Sequence, residues 1–130
     1  MPRPSYPQRP RAVYFFGTCL IDIFYPEAGL AGMALIEREG VEVLYPEDQS
    51  CCGQPAYNSG YAAEARAVAA RQIEAFPDDI PIVVPASSCA ATMRYQYPEL
   101  FAGTPLQEAA ERFASRVFEL TEFLVEVLRI

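Results

Sequence analysis

The sequence predicts an α/β fold with a parallel sheet, because short apolar segments alternate with longer stretches of helical spacing. Three segments have the composition of buried strands: AVYFF at 12–16, VEVLY at 41–45 and IPIVV at 80–84. The stretches between them are long enough for helical crossovers, which are right-handed by default. We therefore expect a Rossmann-like parallel sheet with flanking helices.

Helices are predicted from the spacing of apolar residues, at about 20–39, 58–76, 90–95, 105–114 and 115–128. The residues available for the buried face of the first helix are Leu30, Met33, Ala34 and Ile36. The last helix has the strongest stripe, formed by Val117, Leu120, Thr121, Leu124, Val125 and Leu128. Without the weaker candidate helix at 105–114, the predicted order of elements is β-α-β-α-β-α-α.

The chain of 130 residues is the right size for one domain with its own core. Residues 1–11 contain four prolines and three arginines, so we expect a flexible N-terminal tail followed by a single domain over 12–130. This N-terminal stretch lacks the long apolar region of a signal peptide. We therefore expect a cytoplasmic protein.

Composition disfavours several classes of function. The net charge is −7 and no basic run follows the tail, which argues against binding to nucleic acid or to an anionic membrane. No apolar run reaches membrane-spanning length, and no glycine-rich phosphate motif is present. The sequence has no histidine, which removes histidine general bases and Cys–His nucleophile pairs.

The four cysteines lie in the segments that follow the three predicted strands. Cys19 follows the first strand, Cys51 and Cys52 follow the second, and Cys89 follows the third. Since parallel strands end at the same edge of a sheet, these thiols are expected to converge there. Each precedes a predicted helix, whose free N–H groups favour the thiolate. Gly53 permits a turn, or a close approach, that a Cβ would block.

Three interpretations of this pattern stand side by side. Single cysteines often simply fill space in a core, although four in successive loops fit that interpretation poorly. Four thiolates also suit a structural zinc site, but zinc sites typically use short C-x-x-C motifs, which are absent here. An iron–sulfur cluster accepts thiolates from separate loops. Spacing alone does not decide between zinc and a cluster.

Three stretches resemble the CCG cysteine-rich domain, a family found in heterodisulfide reductase B subunits, glycolate oxidase iron–sulfur subunits and lactate utilisation protein A. They are FFGTCLIDIFYPEAG near the start, PEDQSCCGQPAYNSGY at 46–61 and VVPASSCAATMRYQYPELF at 83–101. The segment LTEFLVEVL at 120–128 resembles the helix that follows in the family. The amino-acid sequence of these stretches is most similar to the lactate group, and the resemblance covers nearly the whole chain after residue 11.

The resemblance implies an iron–sulfur electron-transfer component of an oxidoreductase system, not a self-sufficient catalyst. In the lactate group it implies the oxidation of L-lactate to pyruvate together with other subunits; glycolate is the alternative substrate. Cys19, Cys51, Cys52 and Cys89 become the candidate ligands of a [4Fe-4S] cluster, with Gly53 as the turn residue beside them. No residue of this chain is assigned a catalytic role.

Two features depart from the family pattern. The full pattern ends in C-x-x-C, and Thr92 stands where the fifth cysteine would fall. Family members usually carry two such domains, whereas this chain has one and resembles the N-terminal half. A second CCG domain is therefore a candidate partner. The alternative function is a zinc-binding or metal-free structural or interaction domain that corresponds to half of the family protein.

Overall fold

The computed structural model describes residues 6–17, 26–46, 60, 62–85 and 87–129. Within them, four parallel strands form one sheet in the order β2-β1-β3-β4. The strands are β1 (Ala12–Phe15), β2 (Glu42–Leu44), β3 (Ile82–Val84) and β4 (Val117–Glu119). The helices are α1 (Pro26–Arg38), α2 (Ala62–Ala75), α3 (Ser87–Ala91), α4 (Tyr97–Leu100), α5 (Gln107–Ser115) and α6 (Leu120–Glu122).

Two short segments continue these helices with π-helical hydrogen bonding. One covers Thr92–Gln96 and joins α3 to α4, and the other covers Phe123–Val127 and follows α6. No helix in the described ranges is long and apolar enough to cross a membrane. The observed architecture confirms the predicted α/β class and the parallel sheet with flanking helices.

Strand β4 corrects the prediction of one continuous helix over 115–128. Val117–Glu119 pairs instead with β3 in parallel register, from Ile82 opposite Val117 to Val84 opposite Glu119. Alternation decides the outcome, because Val117 is buried on one face of the sheet and Phe118 on the other. The predicted helical stripe is confirmed only in part. Leu120, Leu124 and Leu128 do pack on the core, but Thr121 and Val125 are exposed. Phe123 and Val127, which were not in the stripe, are buried.

The core has one layer on each face of the sheet. On one face, Tyr14, Phe16, Ile82 and Val84 pack against α2, α5 and the helical run 87–100. On the other face, the sheet packs against α1 and the C-terminal segment, with a core of Val13, Phe15, Ile36, Val41, Val83, Phe118, Phe123, Val127 and Leu128. The prediction that Tyr14, Phe15 and Phe16 belong to the core is confirmed.

Helix α1 approaches the sheet through small residues, which changes its predicted buried face. A Cβ on Gly32 would lie 3.3 Å from Phe15 Cζ and 3.1 Å from Leu120 Cδ2, so the helix sits close against β1. Ile36 is buried and Met33 partly so, as predicted. The prediction was wrong for Leu30 and Ala34, which are exposed on the opposite side. The prediction considered only apolar side chains, whereas the buried face of α1 also contains glycines, which let the helix lie close to the sheet.

The described part of the predicted tail lies against the domain. Tyr6 Oη donates a hydrogen bond to Glu122 Oε2 at 3.0 Å, and its ring lies beside Phe118. The Arg9 guanidinium donates to the carbonyls of Glu39 at 2.7 Å and Leu128 at 3.0 Å. Both ends of the described chain therefore meet on the same side of the molecule. The predicted domain boundary at residue 12 is not tested by these contacts and stays a prediction.

Candidate functional site

The carboxyl edge of the sheet is the candidate site because the strand order reverses there. Strand β1 connects through α1 to β2 on one side, whereas β3 connects to β4 on the other. The helices of these two connections pack on opposite faces of the sheet. In open α/β sheets such a reversal leaves a crevice beyond the strand ends, where ligands bind. Here that point lies between the carboxyl ends of β1 and β3.

Cys89 lies at this edge. It is the third residue of α3, which begins three residues after β3 ends at Val84. Its side chain is half-buried and packs against the core on the α2 side of the sheet. The structure thus agrees with the predicted position of Cys89 after the third strand, at the start of a helix.

The other predicted site residues, Cys19, Cys51, Cys52 and Gly53, lie outside the described residues. The predicted convergence of four sulfur atoms therefore stays a prediction. Among the residues that are described, no group of three or more Cys, Asp or Glu side chains could hold a metal ion.

The segments that lead toward these cysteines do touch each other. Gly17 follows β1 and Tyr45 follows β2, and the Tyr45 ring lies directly against the Gly17 backbone. A Cβ at position 17 would lie 3.0 Å from Tyr45 Cζ and closer still to its hydroxyl oxygen. Only glycine fits this contact without a shift of the ring. The chain therefore leads toward Cys19 and toward the pair Cys51 and Cys52 from adjoining points.

Thr92 lies in the interior of the protein, one helical turn beyond Cys89. It begins the π-helical segment and is 1% exposed. Residues three apart in a helix share a face, so Thr92 neighbours the cysteine along the same side of the helical run. The position of the fifth family cysteine is thus occupied by a small polar side chain, packed under the edge that carries Cys89.

A charged network that sequence reasoning missed lies beside the same helical run. Arg94 donates hydrogen bonds to the carbonyl of Val117, at 2.8 Å, and to Glu122 Oε1. Glu122 also accepts the bond from Tyr6 and forms a capping box with Glu119 at the start of α6. The Arg94 and Glu122 side chains are only 12% and 14% exposed. These partners are far apart in sequence, so no local signal could have paired them.

This network shifts the pKa of both charged partners toward the ionised form. Burial by itself would raise the pKa of Glu122, but hydrogen bonds from Arg94 and Tyr6 outweigh it and lower the pKa. Burial would likewise lower the pKa of Arg94, but its bonds with Glu122 and Tyr95 raise the pKa instead. The Arg94 side chain also satisfies a carbonyl of β4, the edge strand of the sheet.

Arg94, Tyr95 and Tyr97 follow Cys89 in the sequence, which predicts an ordinary helix surface, with a position flanking a cluster or substrate as the alternative. Tyr95 is half-exposed, in agreement with a surface position. Tyr97 is buried in the core and stacks on Phe113 at 5.6 Å between ring centroids, so the prediction of a surface position is wrong for it. The pair Tyr97-Pro98 predicts an interruption of the helical run, but the run continues, because Pro98 occupies the first turn of α4.

Comparison with known proteins identifies the family. Residues 13–94 match the family described as CCG, a cysteine-rich domain. The chain is 50% identical over 119 residues to Lactate utilization protein A of Geobacillus kaustophilus, covering 91% of this chain and 49% of that protein. The corresponding proteins of Geobacillus thermodenitrificans and Shouchella clausii are each 49% identical over the same length, with the same shares of each chain covered.

The chain therefore spans about half the length of these curated relatives. No solved structure matches it. The family match begins in β1, runs through all four cysteines and ends at Arg94, so it includes the carboxyl edge described above. On this match, the chain belongs to the CCG cysteine-rich domain family.

Proposed function

We propose that this chain is the iron–sulfur-binding part of an electron-transfer protein in a lactate-oxidising system. The observation that carries the proposal is the arrangement at the carboxyl edge of the sheet. Cys89 lies there on α3, and the segments leading to the other cysteines adjoin each other through Gly17 and Tyr45. The relatives named Lactate utilization protein A support the choice of substrate.

The donor set of the chain fits such a cluster. Its candidate ligands are thiolates alone, since the sequence has four cysteines and no histidine. Cys19, Cys51, Cys52 and Cys89 would hold the cluster, and Gly53 would let the loop turn beside the adjacent pair. A [4Fe-4S] cluster takes four cysteine thiolates and, when bound, supplies one-electron transfer.

The protein around the edge would tune this chemistry through burial and hydrogen bonding. Cys89 is half-buried against an apolar core, and Thr92 next to it is a small polar residue inside the fold. Oxidation of lactate to pyruvate releases two electrons and two protons. This chain has no histidine to act as a base, so we assign removal of the protons to another component of the system. Other subunits are therefore required, and we propose a cytoplasmic location.

A second candidate function is a structural zinc domain. Thr92 replaces the fifth family cysteine and leaves four thiolates, the number that closes a tetrahedral structural zinc site. A metal-free interaction domain is the remaining alternative. The two candidates with metal differ in what a purified sample contains, because acid-labile sulfide accompanies a cluster and does not accompany zinc.

The deciding experiment is anaerobic purification followed by iron, zinc and sulfide analysis. We expect about four iron and four sulfide atoms per chain, as a [4Fe-4S] cluster requires. Cys51→Ser and Cys89→Ser should each lose most of both. Ala91→Ser is the matched control, because it changes an exposed neighbour on the same helix and keeps every thiol. Zinc without sulfide, or no metal after anaerobic reconstitution, would overturn the cluster.

The substrate is tested separately with the loaded protein. In an extract of lactate-grown cells that supplies the other components, we expect lactate to bleach the visible absorption of the cluster. Glycolate is the comparison substrate, and the Cys89→Ser variant is the control for absorption from other proteins. Bleaching by glycolate alone would transfer the proposal from lactate to glycolate oxidation.

A further inference from the structure

A groove lies beside the N-terminal arm, residues 6–11, close to the point where Arg9 of the arm is bonded to Leu128. It has a volume of about 450 Å³ and runs between the helical run after β3 and the one after β4. Tyr6, from the N-terminal arm, lines it together with Val125 and Glu126, near the C-terminal end. The arm is held there by the bonds from Tyr6 to Glu122 and from Arg9 to the Leu128 carbonyl.

Both walls of the groove expose apolar side chains to solvent. Tyr95 on one wall is 50% exposed, and Val125 on the other is 51% exposed. Ala91, on the wall with Tyr95, and Thr121, on the wall with Val125, also line the groove and are exposed. Exposed apolar residues that flank one concave surface are typical of sites that bind another protein surface.

The charge of the groove selects among possible partners. Its lining carries the carboxylates of Glu119, Glu122 and Glu126 and the guanidinium of Arg94, which is already paired with Glu122. The groove is therefore net negative. A symmetric dimer of this chain through the groove would bring the same carboxylates together, which is unfavourable. A partner surface with apolar and basic side chains fits better.

We infer that the groove is the docking surface for a second domain of the kind that makes up the rest of the longer relatives. Those relatives are about twice the length of this chain. The arm lines the groove through Tyr6, and Arg9 of the same arm is bonded to the Leu128 carbonyl near the described C-terminal end. A domain joined at either end would therefore begin close to the groove. Such a link gives the partner a high effective concentration, so a modest contact surface is sufficient. This inference does not depend on the bound metal or on the substrate.

The test uses a joined protein, in which the remaining half of the Geobacillus kaustophilus relative is linked to this chain as in that relative. Amide hydrogen exchange is compared between the joined protein and the 130-residue chain. We expect exchange in segments 90–95 and 119–126 to slow at least tenfold in the joined protein. Segment 62–75, which forms α2, should not change. Both proteins are prepared without metal, so the hydrogen-exchange result does not depend on the outcome of the iron and sulfide analysis.

Variants locate the docking surface. The double substitution Tyr95→Ser and Val125→Ser should abolish the added protection, because it removes the apolar contacts on both walls. Leu30→Ser is the matched control: Leu30 is 61% exposed but lies on α1, away from the groove, so protection should persist. The natural relative, intact and cut between its halves, provides a second comparison in which folding of both halves is assured.

Three results would overturn the inference. The first is protection at another surface only. The second is unchanged exchange at the groove in both the joined protein and the intact relative. The third is full protection in the double variant. Sedimentation of the 130-residue chain adds a fourth. A dimer that dissociates in the double variant would assign the groove to a second copy of this chain.

Discussion

A largely buried arginine lies toward each edge of the sheet, and the two make opposite kinds of contact. At the amino edge, Arg116 donates hydrogen bonds to the carbonyls of Phe76, Asp78 and Ile80 and closes the turn before β3. Toward the carboxyl edge, Arg94 divides its bonds between one carbonyl and the carboxylate of Glu122. The first arginine ties backbone to backbone, whereas the second joins helices across a groove.

The difference is visible in the pKa of each arginine. Burial lowers the pKa of Arg116, and Asp79, itself exposed, together with Tyr14 and Asp78, offsets this only in part. The pKa of Arg94 is raised despite burial, because Glu122 and Tyr95 lie against it. Arg116 is held by backbone carbonyls and closes the turn at the amino edge. Arg94 is held by a carboxylate and lies beside a groove that still exposes other carboxylates and apolar side chains, toward the edge that carries Cys89.

The largest effect is expected from Arg116→Ala. The substitution leaves three carbonyls of the turn without their donor and removes the contact of the guanidinium with the Phe113 ring. We expect the free energy of unfolding to fall by about 2–4 kcal/mol, measured by urea denaturation. Arg112→Ala, at an exposed position of α5, should change it by less than about 0.5 kcal/mol. If both variants lowered the free energy of unfolding equally, the bonds of Arg116 would not be what stabilises the amino edge.

A smaller loss is expected from Gly17→Ala, which tests the carboxyl edge. The new methyl group would overlap the Tyr45 ring, and displacing that ring should cost about 1–3 kcal/mol. Tyr45→Ala should make Gly17→Ala much less harmful, so a double-mutant cycle in urea measures the coupling directly. Additive effects would mean that the two loop entrances do not depend on each other. If the cluster proposal holds, Gly17→Ala should also lower the iron content.

The smallest effect concerns acid stability through Glu122. Its folded-state pKa lies below the ordinary value of 4.5, so its contribution is present above pH 4.5 and is lost as pH falls through the folded pKa. Glu122→Gln should therefore reduce stability by about 1–2 kcal/mol at pH 7 and flatten the decline below pH 4.5. Glu126→Gln, exposed on the same groove, should keep the normal decline. Urea titrations at several pH values supply the comparison, and identical slopes would contradict it.

The three strands that precede the cysteines in the sequence were predictable, because each is a compact apolar run bounded by glycine or proline. The segments AVYFF, VEVLY and IPIVV all contain strands of the sheet, slightly shortened at their ends. Strand β4 was not predictable in the same way. Val117 also fits a helical stripe with Leu120 and Leu124, and only pairing with β3 makes the extended form the better solution for Val117–Glu119.

For the candidate site, the cysteine pattern of the family could be recognised in the amino-acid sequence, and the match over residues 13–94 confirms the family. Cys89 is found at the predicted edge, whereas the positions of the other three cysteines stay predictions. The network of Tyr6, Arg94 and Glu122 could not be anticipated. Its members are separated by 28 and 116 residues, and no periodicity links side chains that meet only after the chain has folded.

The sequence by itself determined the α/β class, the three strand segments before the cysteines and the CCG family, because these depend on local apolar runs and on residue spacing. Tertiary structure alone decided where β4 forms, which face α1 buries, and that the N-terminal arm meets the C-terminal segment close to one groove. Each of these results from contacts between distant segments. Such contacts satisfy backbone hydrogen bonds or bury apolar surface only when the sheet is assembled, so no short window of the sequence contains them.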